Sequence, residues 1–325
     1  MLGAGSVKLG FLTACLPALE LPAIADWAAA HDFQALEVAT WPEVESRPFE
    51  ASHIDVETLD SAKAEKTLTY LASRGLEISA LAYYENNLHP DAKLREEIRA
   101  HLRKCVDAAV LLGCPYVGTF VGRNWNRSVA ENVKLAEEIL PPLVDYAGER
   151  GIRLIVENCP MEGWHPDGYP CNLAYSPELW EWMFSLGFYL NYDPSHLTWL
   201  GIDPVVALRG CYERVVHAQA KDVEIDQDGL NEVGVFGKAL NRANPWDNRG
   251  YRYRVPGLGQ VDWRAIVDTL YQVGFDGVLS VEHEDPVWSG DTSRVLGGLA
   301  ISYETLRPLI RRPAIDSAPS GTSSQ

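Results

Sequence analysis

Positive charge is scarce in this chain relative to its opposite. Lys and Arg number 28 against 45 Asp and Glu, a formal net charge of −17. Such a surface repels a phosphate backbone and an anionic bilayer, so nucleic acid and membrane are poor partners. No apolar run reaches the length needed to cross a bilayer. The six cysteines, Cys15, Cys105, Cys114, Cys159, Cys171 and Cys211, contain no CxxC pair. Their scatter through apolar segments argues against a disulfide framework or zinc knuckle and for reduced thiols in a cytoplasmic protein. No Gly-rich phosphate turn follows the first strand candidate, which counts against a doubly wound dinucleotide-binding sheet.

What is present is apolar bulk with a regular beat. Of 325 residues, 46% are hydrophobic, enough for a large core. Short, apolar, β-branched stretches read as strands at Lys8–Ala14, Ala35–Ala39, Leu76–Ala82, Tyr116–Val121, Arg153–Glu157, Phe188–Tyr192, Val215–Ala220 and Val278–Glu282. Amphipathic stretches lie between them, clearest at Val56–Ser73, Ala92–Leu112, Ala130–Glu149 and Asp262–Val273. Ser176-Pro177 reads as a cap followed by a first-turn proline. Gly75, Gly113, Gly151 and Gly274 each follow a helix and precede a strand, where a left-handed residue is wanted.

Eight such units predict an α/β fold, a single (β/α)8 TIM barrel spanning residues 1–312. The run Lys8 to Leu16 imitates a short signal peptide. Its shortness, and the helix that continues through Asp26-Trp27, favour a first buried strand. Two regions break the rhythm. Asp222–Gly259 is a long polar loop after strand seven, and loops of that length are usually functional. Pro313–Gln325, rich in Ser, Ala and Pro, reads as a disordered tail.

Catalytic groups of such barrels sit at the C-terminal strand ends. There this chain places Glu157-Asn158, Asp193-Pro194-Ser195-His196, the run His217 to Asp222, and Glu282-His283-Glu284-Asp285. One carboxylate in such a place is usually structural. Three from successive strand ends would converge, and packed like charges need a cation or protons. A divalent ion is the simplest resolution, with oxygen ligands favouring hard cations and one nitrogen admitting Mn²⁺ or Co²⁺.

The stretches IVENCPM (155–161), NYDPSHL (191–197), HAQAKDVE (217–224) and SVEHEDP (280–286) make the chain resemble the xylose-isomerase-like superfamily of sugar phosphate isomerases and epimerases. Weaker matches, FQALEVATWP (33–42), LAYYENNLHPD (81–91), GTFVGR (118–123) and RYRVPGLGQVDW (252–263), carry the resemblance in order along nearly the whole chain. The resemblance implies metal ligands at Glu157, Asp193 and Glu282. It implies a fourth at the first position of an H-x-K-D signature, which is Gln219 here, with His217 two residues earlier as the alternative. Gln219 in place of imidazole tilts the site toward Mn²⁺ or Mg²⁺.

The same resemblance makes His196 a contact for a substrate hydroxyl; a histidine bonding only backbone is the plainer reading. His89 is equally well a substrate contact or a surface histidine. Arg254 either closes over a sugar or stacks on a tyrosine. Trp41, Trp125, Trp164, Trp199 and Trp246 fall in loops at the barrel mouth, where indoles stack on sugar C–H faces or plug the barrel. Epimerase relatives carry an arginine soon after strand seven; the acidic run Asp222 to Asp228 has none, which questions ketose 3-epimerase specificity and a phosphorylated substrate.

The implied chemistry is proton removal next to a carbonyl, with a metal stabilising an enediolate and Glu157 and Glu282 exchanging the proton on opposite faces. Three rivals share the fold. A lyase would let the same carbanion expel a β-leaving group from a 3-keto-glycoside. A non-catalytic sugar-binding barrel is suggested by Gln219. An apurinic endonuclease is opposed by the charge and by only eight histidines. Homo-oligomers are common for this architecture.

Overall fold

A computed structural model describes residues 6–42 and 51–310. Ten strands form in chain order: β1 (Val7–Leu12), β2 (Ala35–Ala39), β3 (Glu77–Asn86), β4 (Tyr116–Phe120), β5 (Arg153–Glu157), β6 (Tyr189–Tyr192), β7 (Val215–Ala220), β8 (Asp222–Ile225), β9 (Tyr251–Arg254) and β10 (Gly277–Val281). Eight of them close a parallel barrel in the order β1-β10-β7-β6-β5-β4-β3-β2. Phe11 faces Val281 on one side of β1 and Leu36 on the other. The segment that mimics a signal peptide is therefore the stave that completes the ring. The strands are almost wholly buried, as parallel strands covered by helices must be.

Several helices return the chain to the bottom of the barrel through a left-handed glycine, while the turn before β2 uses Asp32, also at positive φ. Gly75, Gly113, Gly151 and Gly274 all have positive φ, between 59° and 74°, as expected. Other expectations shift. The helix expected over Ala130–Glu149 is two, Val129–Ile139 and Pro141–Gly148. Pro141 and Pro142 lack the N–H that would continue the first and crowd its preceding turn. The helix expected from Val56 begins at Ser61, where the Asp60 carboxylate accepts the Lys63 N–H at 2.8 Å. Ser176 stands before Pro177, but its hydroxyl makes no cap bond.

The loop expected over Asp222–Gly259 is partly ordered as secondary structure. β8 and β9 pair antiparallel outside the barrel, Asp222 facing Arg254, with a helix at Gln227–Val233 between them. The Asp222 carboxylate fastens this hairpin. It accepts the backbone N–H of Val223, Val261 and Gly257 at 2.9 Å each, and the Trp263 indole N–H at 3.0 Å. All six cysteines are free, and burial pushes the thiols of Cys15, Cys105, Cys114 and Cys159 up to about 12. No helix among the described residues is long and apolar enough to cross a membrane. The tail expectation for Pro313–Gln325 lies outside the described residues.

Candidate metal and catalytic site

Three strand ends bring their carboxylates together. Glu157 is the last residue of β5, Asp193 caps the helix that follows β6, and Glu282 follows β10. Their ligand oxygens lie within 4.8 Å of one another, and all three residues are buried. Burial raises the Glu157 carboxyl, and raises Glu282 well above its ordinary value with help from the Glu157 charge. Asp193 goes the other way. Burial works against its charge, but the Lys221 ammonium, the His196 imidazole and the Ser195 N–H, 2.8 Å from Oδ1, outweigh it.

Two cationic side chains partner this cluster. His196 donates from Nε2 to Glu157 at 3.0 Å, lies 3.3 Å from Asp193 Oδ2, and bonds the Tyr253 hydroxyl through Nδ1 at 3.0 Å. Burial works to lower its basicity, yet the acidic neighbours hold it well above the usual histidine value. Lys221, one residue past β7, puts Nζ 2.6 Å from Glu282, 3.1 Å from Glu284 and 3.4 Å from Asp193. Burial opposes its charge, but the ring of acids holds the ammonium protonated well above the ordinary range. Sequence reasoning did not single out Lys221. Period two along β7 does, since Lys221 shares the inward face of Gln219.

Two buried acceptors are left over. Asp193 Oδ2 has ion-pair neighbours but no well-formed hydrogen bond, and Gln219 Oε1 has no partner among the described residues. The Gln219 amide nitrogen points to both oxygens of Glu37, at 3.4 Å each, which turns its carbonyl away from them. An orphaned buried acceptor among clustered carboxylates fits a cation, which Glu157, Asp193 and Glu282 could hold between their oxygens. Gln219 Oε1 is a second unpartnered acceptor, on the neighbouring strand β7.

His217 corrects the alternative. It lies deeper in β7, with Nδ1 on Asn191 Oδ1 at 2.8 Å and Nε2 on Ser79 Oγ at 3.0 Å. Both nitrogens are engaged, and burial lowers its value to about 3, so it is a neutral core histidine offering nothing to substrate or ion. It belongs to a chain of hydrogen bonds crossing the barrel. Asn191 donates onward to the Tyr84 hydroxyl at 2.7 Å, and that hydroxyl donates to Glu37. Glu37 was also missed from sequence, hidden as a lone acid inside an apolar strand.

Above the carboxylates opens a cavity of about 1610 Å³, lined by Glu157, Glu282, Lys221 and Tyr253 at its floor. Trp41, Trp125, Trp164 and Trp246 line it as expected, and His89 stands edge-on to Trp125 at 5.0 Å. Trp199 does not; it stacks on Tyr251 at 4.2 Å. Arg254 also departs from expectation. Its guanidinium is tied to Asp285 at 2.8 Å and to Glu224, outside the cavity lining. Arg252, on the same hairpin strand, does line the cavity, paired with Glu224 at 2.8 Å.

Known proteins resemble this one over most or part of its length. The uncharacterised protein YfiH of Bacillus subtilis (strain 168) is 27% identical over 326 residues, 94% of this chain and 99% of that one. An inosose dehydratase of Clostridium tetani (strain Massachusetts / E88) is 32% identical over 101 residues, 30% of this chain and 31% of the dehydratase. The IolI protein, solved with a bound zinc atom, shares the fold at a TM-score of 0.67 and 18% identity, covering 94% of this chain and 98% of IolI. Residues 25–300 match the family described as xylose isomerase-like TIM barrel, and the chain belongs to that family.

Proposed function

We propose that the protein is a divalent-metal-dependent enzyme of the sugar isomerase and epimerase type, acting on a sugar ketone by proton transfer at the carbon next to the carbonyl. The observation that carries this reading is the convergence of Glu157, Asp193 and Glu282 beneath an indole-lined cavity, with acceptors at Asp193 and Gln219 left without a formed hydrogen bond. The ion would be held by these four residues. Their all-oxygen donor set favours Mn²⁺ or Mg²⁺ over softer metals. When bound, it would supply Lewis-acid polarisation of the carbonyl and offset the negative charge that grows there.

The remaining work falls to the chain's own groups. Glu157 and Glu282 both reach the cavity floor, so one carboxylate takes the proton and the other returns it. His196, fully buried and outside the cavity lining, is bonded to Glu157 and Tyr253 and fixes the Glu157 carboxylate rather than meeting a substrate hydroxyl. Trp41, Trp125 and Trp164 bind apolar sugar faces and displace water.

A second reading is a lyase, in which the same carbanion expels a β-leaving group. The likeness to an inosose dehydratase supports it. So does a cavity of about 1610 Å³, beyond the roughly 300–1,000 Å³ of ordinary small-ligand pockets. Incubation of Mn²⁺-loaded protein in D₂O with a free ketose, and separately with a 3-keto-glucoside, separates the two by NMR. Deuterium entering next to the carbonyl with the glycosidic bond intact supports the isomerase or epimerase. Release of the aglycone supports the lyase. No exchange and no release with either substrate sinks both.

A further inference from the structure

The Lys221 ammonium stands on ground that a divalent ion would need. Its Nζ lies 2.6 Å from Glu282 Oε2, 3.4 Å from Asp193 Oδ2 and 3.7 Å from Glu157 Oε1, and its side chain is only 2% exposed. These are the same three carboxylates whose oxygens lie within 4.8 Å of one another. An ion closing on them at oxygen distances of about 2.0–2.2 Å would stand inside the ammonium's own contact distance. Two cations so close and so poorly solvated repel strongly.

Lys221 has somewhere else to go. Glu284 Oε2 is 3.1 Å from Nζ, and unlike the other three acids its side chain is half exposed and borders the cavity. The Tyr253 ring, with its centroid 4.7 Å from Nζ, lies alongside and attracts a cation.

We propose that Lys221 and a divalent ion are mutually exclusive occupants of the site formed by Glu157, Asp193 and Glu282, and that entry of the ion moves the ammonium onto Glu284 at the cavity floor. The inference rests on the metal-dependent reading above. In the metal-free protein the ammonium offsets the charge of the clustered carboxylates. In the loaded protein it becomes a cavity-facing cation beside Glu282, placed to meet a substrate oxygen.

Calorimetric titration of Mn²⁺ into chelator-treated wild type, Lys221→Met, Glu284→Gln and the double variant tests this. Lys221→Met removes the resident cation and should tighten Mn²⁺ binding at least tenfold. Glu284→Gln removes the landing site and should weaken binding severalfold in the wild-type background, with no effect once Lys221 is Met. Equal or weaker Mn²⁺ binding by Lys221→Met overturns the proposal. So does a Glu284→Gln effect that persists in the Met background, because Glu284 would then act only as a distant charge. If circular dichroism shows Lys221→Met unfolded, Glu284→Gln decides alone, and unchanged or tighter binding overturns it. Mn²⁺ binding by none of the four proteins sinks this proposal together with the metal-dependent reading; equal binding by wild type and Lys221→Met sinks the exclusion alone.

Discussion

His196 Nε2 and Glu157 Oε1 form a 3.0 Å hydrogen bond in which neither residue meets appreciable solvent. The pair joins β5 to the helix after β6, and Tyr253 holds the far side of the imidazole. It orients one of the two carboxylates assigned to proton transfer.

Replacing either carboxylate with its amide tests that assignment. Glu157→Gln and Glu282→Gln should each lower kcat/KM by about 10²–10⁴-fold. Neither should destabilise the metal-free fold, since each removes a charge whose burial is unfavourable. Steady-state assays beside calorimetric melts check both halves. A variant that keeps near-wild-type turnover removes that residue from the chemistry.

His217 gives a pH dependence with a definite sign. Its folded value is about 3, below the ordinary 6.5, so the unfolded chain takes up a proton in that window and the folded chain does not. Stability from this group is therefore complete above pH 6.5 and declines on acidification by up to about 1.4 kcal/mol per pH unit. His217→Asn should cost about 1–3 kcal/mol at pH 7, through the bonds to Asn191 and Ser79. The gap from wild type in denaturant unfolding should narrow between pH 6.5 and 5. A constant gap would mean that His217 is protonated in the fold.

Asp222 is expected to hold the hairpin rather than to touch substrate. Asp222→Ala leaves four N–H donors without their acceptor, at about 1–3 kcal/mol for each that water cannot reach. Limited proteolysis should then cut within residues 226–250 faster than in wild type. Unchanged cleavage kinetics would show that the hairpin is secured by other contacts.

Trp246 lines the outer cavity and is 40% exposed. If the upper cavity binds an aglycone, Trp246→Ala should raise KM for a 3-keto-glucoside about 3–10-fold and leave KM for a free ketose unchanged. Equal effects on both substrates would place the indole against the reacting sugar instead.

The barrel was legible because parallel strands buried on both faces read as short apolar runs, and several return turns carry a left-handed glycine such as Gly75 or Gly274. Glu157, Asp193 and Glu282 were legible as acids at strand ends. Lys221 was not, because a lysine beside a strand end looks like surface charge until the acids around it are assembled from β5, β6 and β10. His217 and Arg254 misled for the same reason. Residue type suggested contact with a ligand, while partners distant in sequence, Ser79 and Asp285, had already claimed them. The β8–β9 pairing was hidden because its strands are separated by residues 226–250 and have no tight turn to announce them.

Lys221 is the single residue between the end of β7 and the start of β8. There is no slack at that junction. Asp222, pinned by four hydrogen bonds, fixes the root of the hairpin and with it the backbone that carries the ammonium. The hairpin root and the ammonium beneath the cavity therefore share one peptide unit, and a lengthened junction would separate them without altering a side chain.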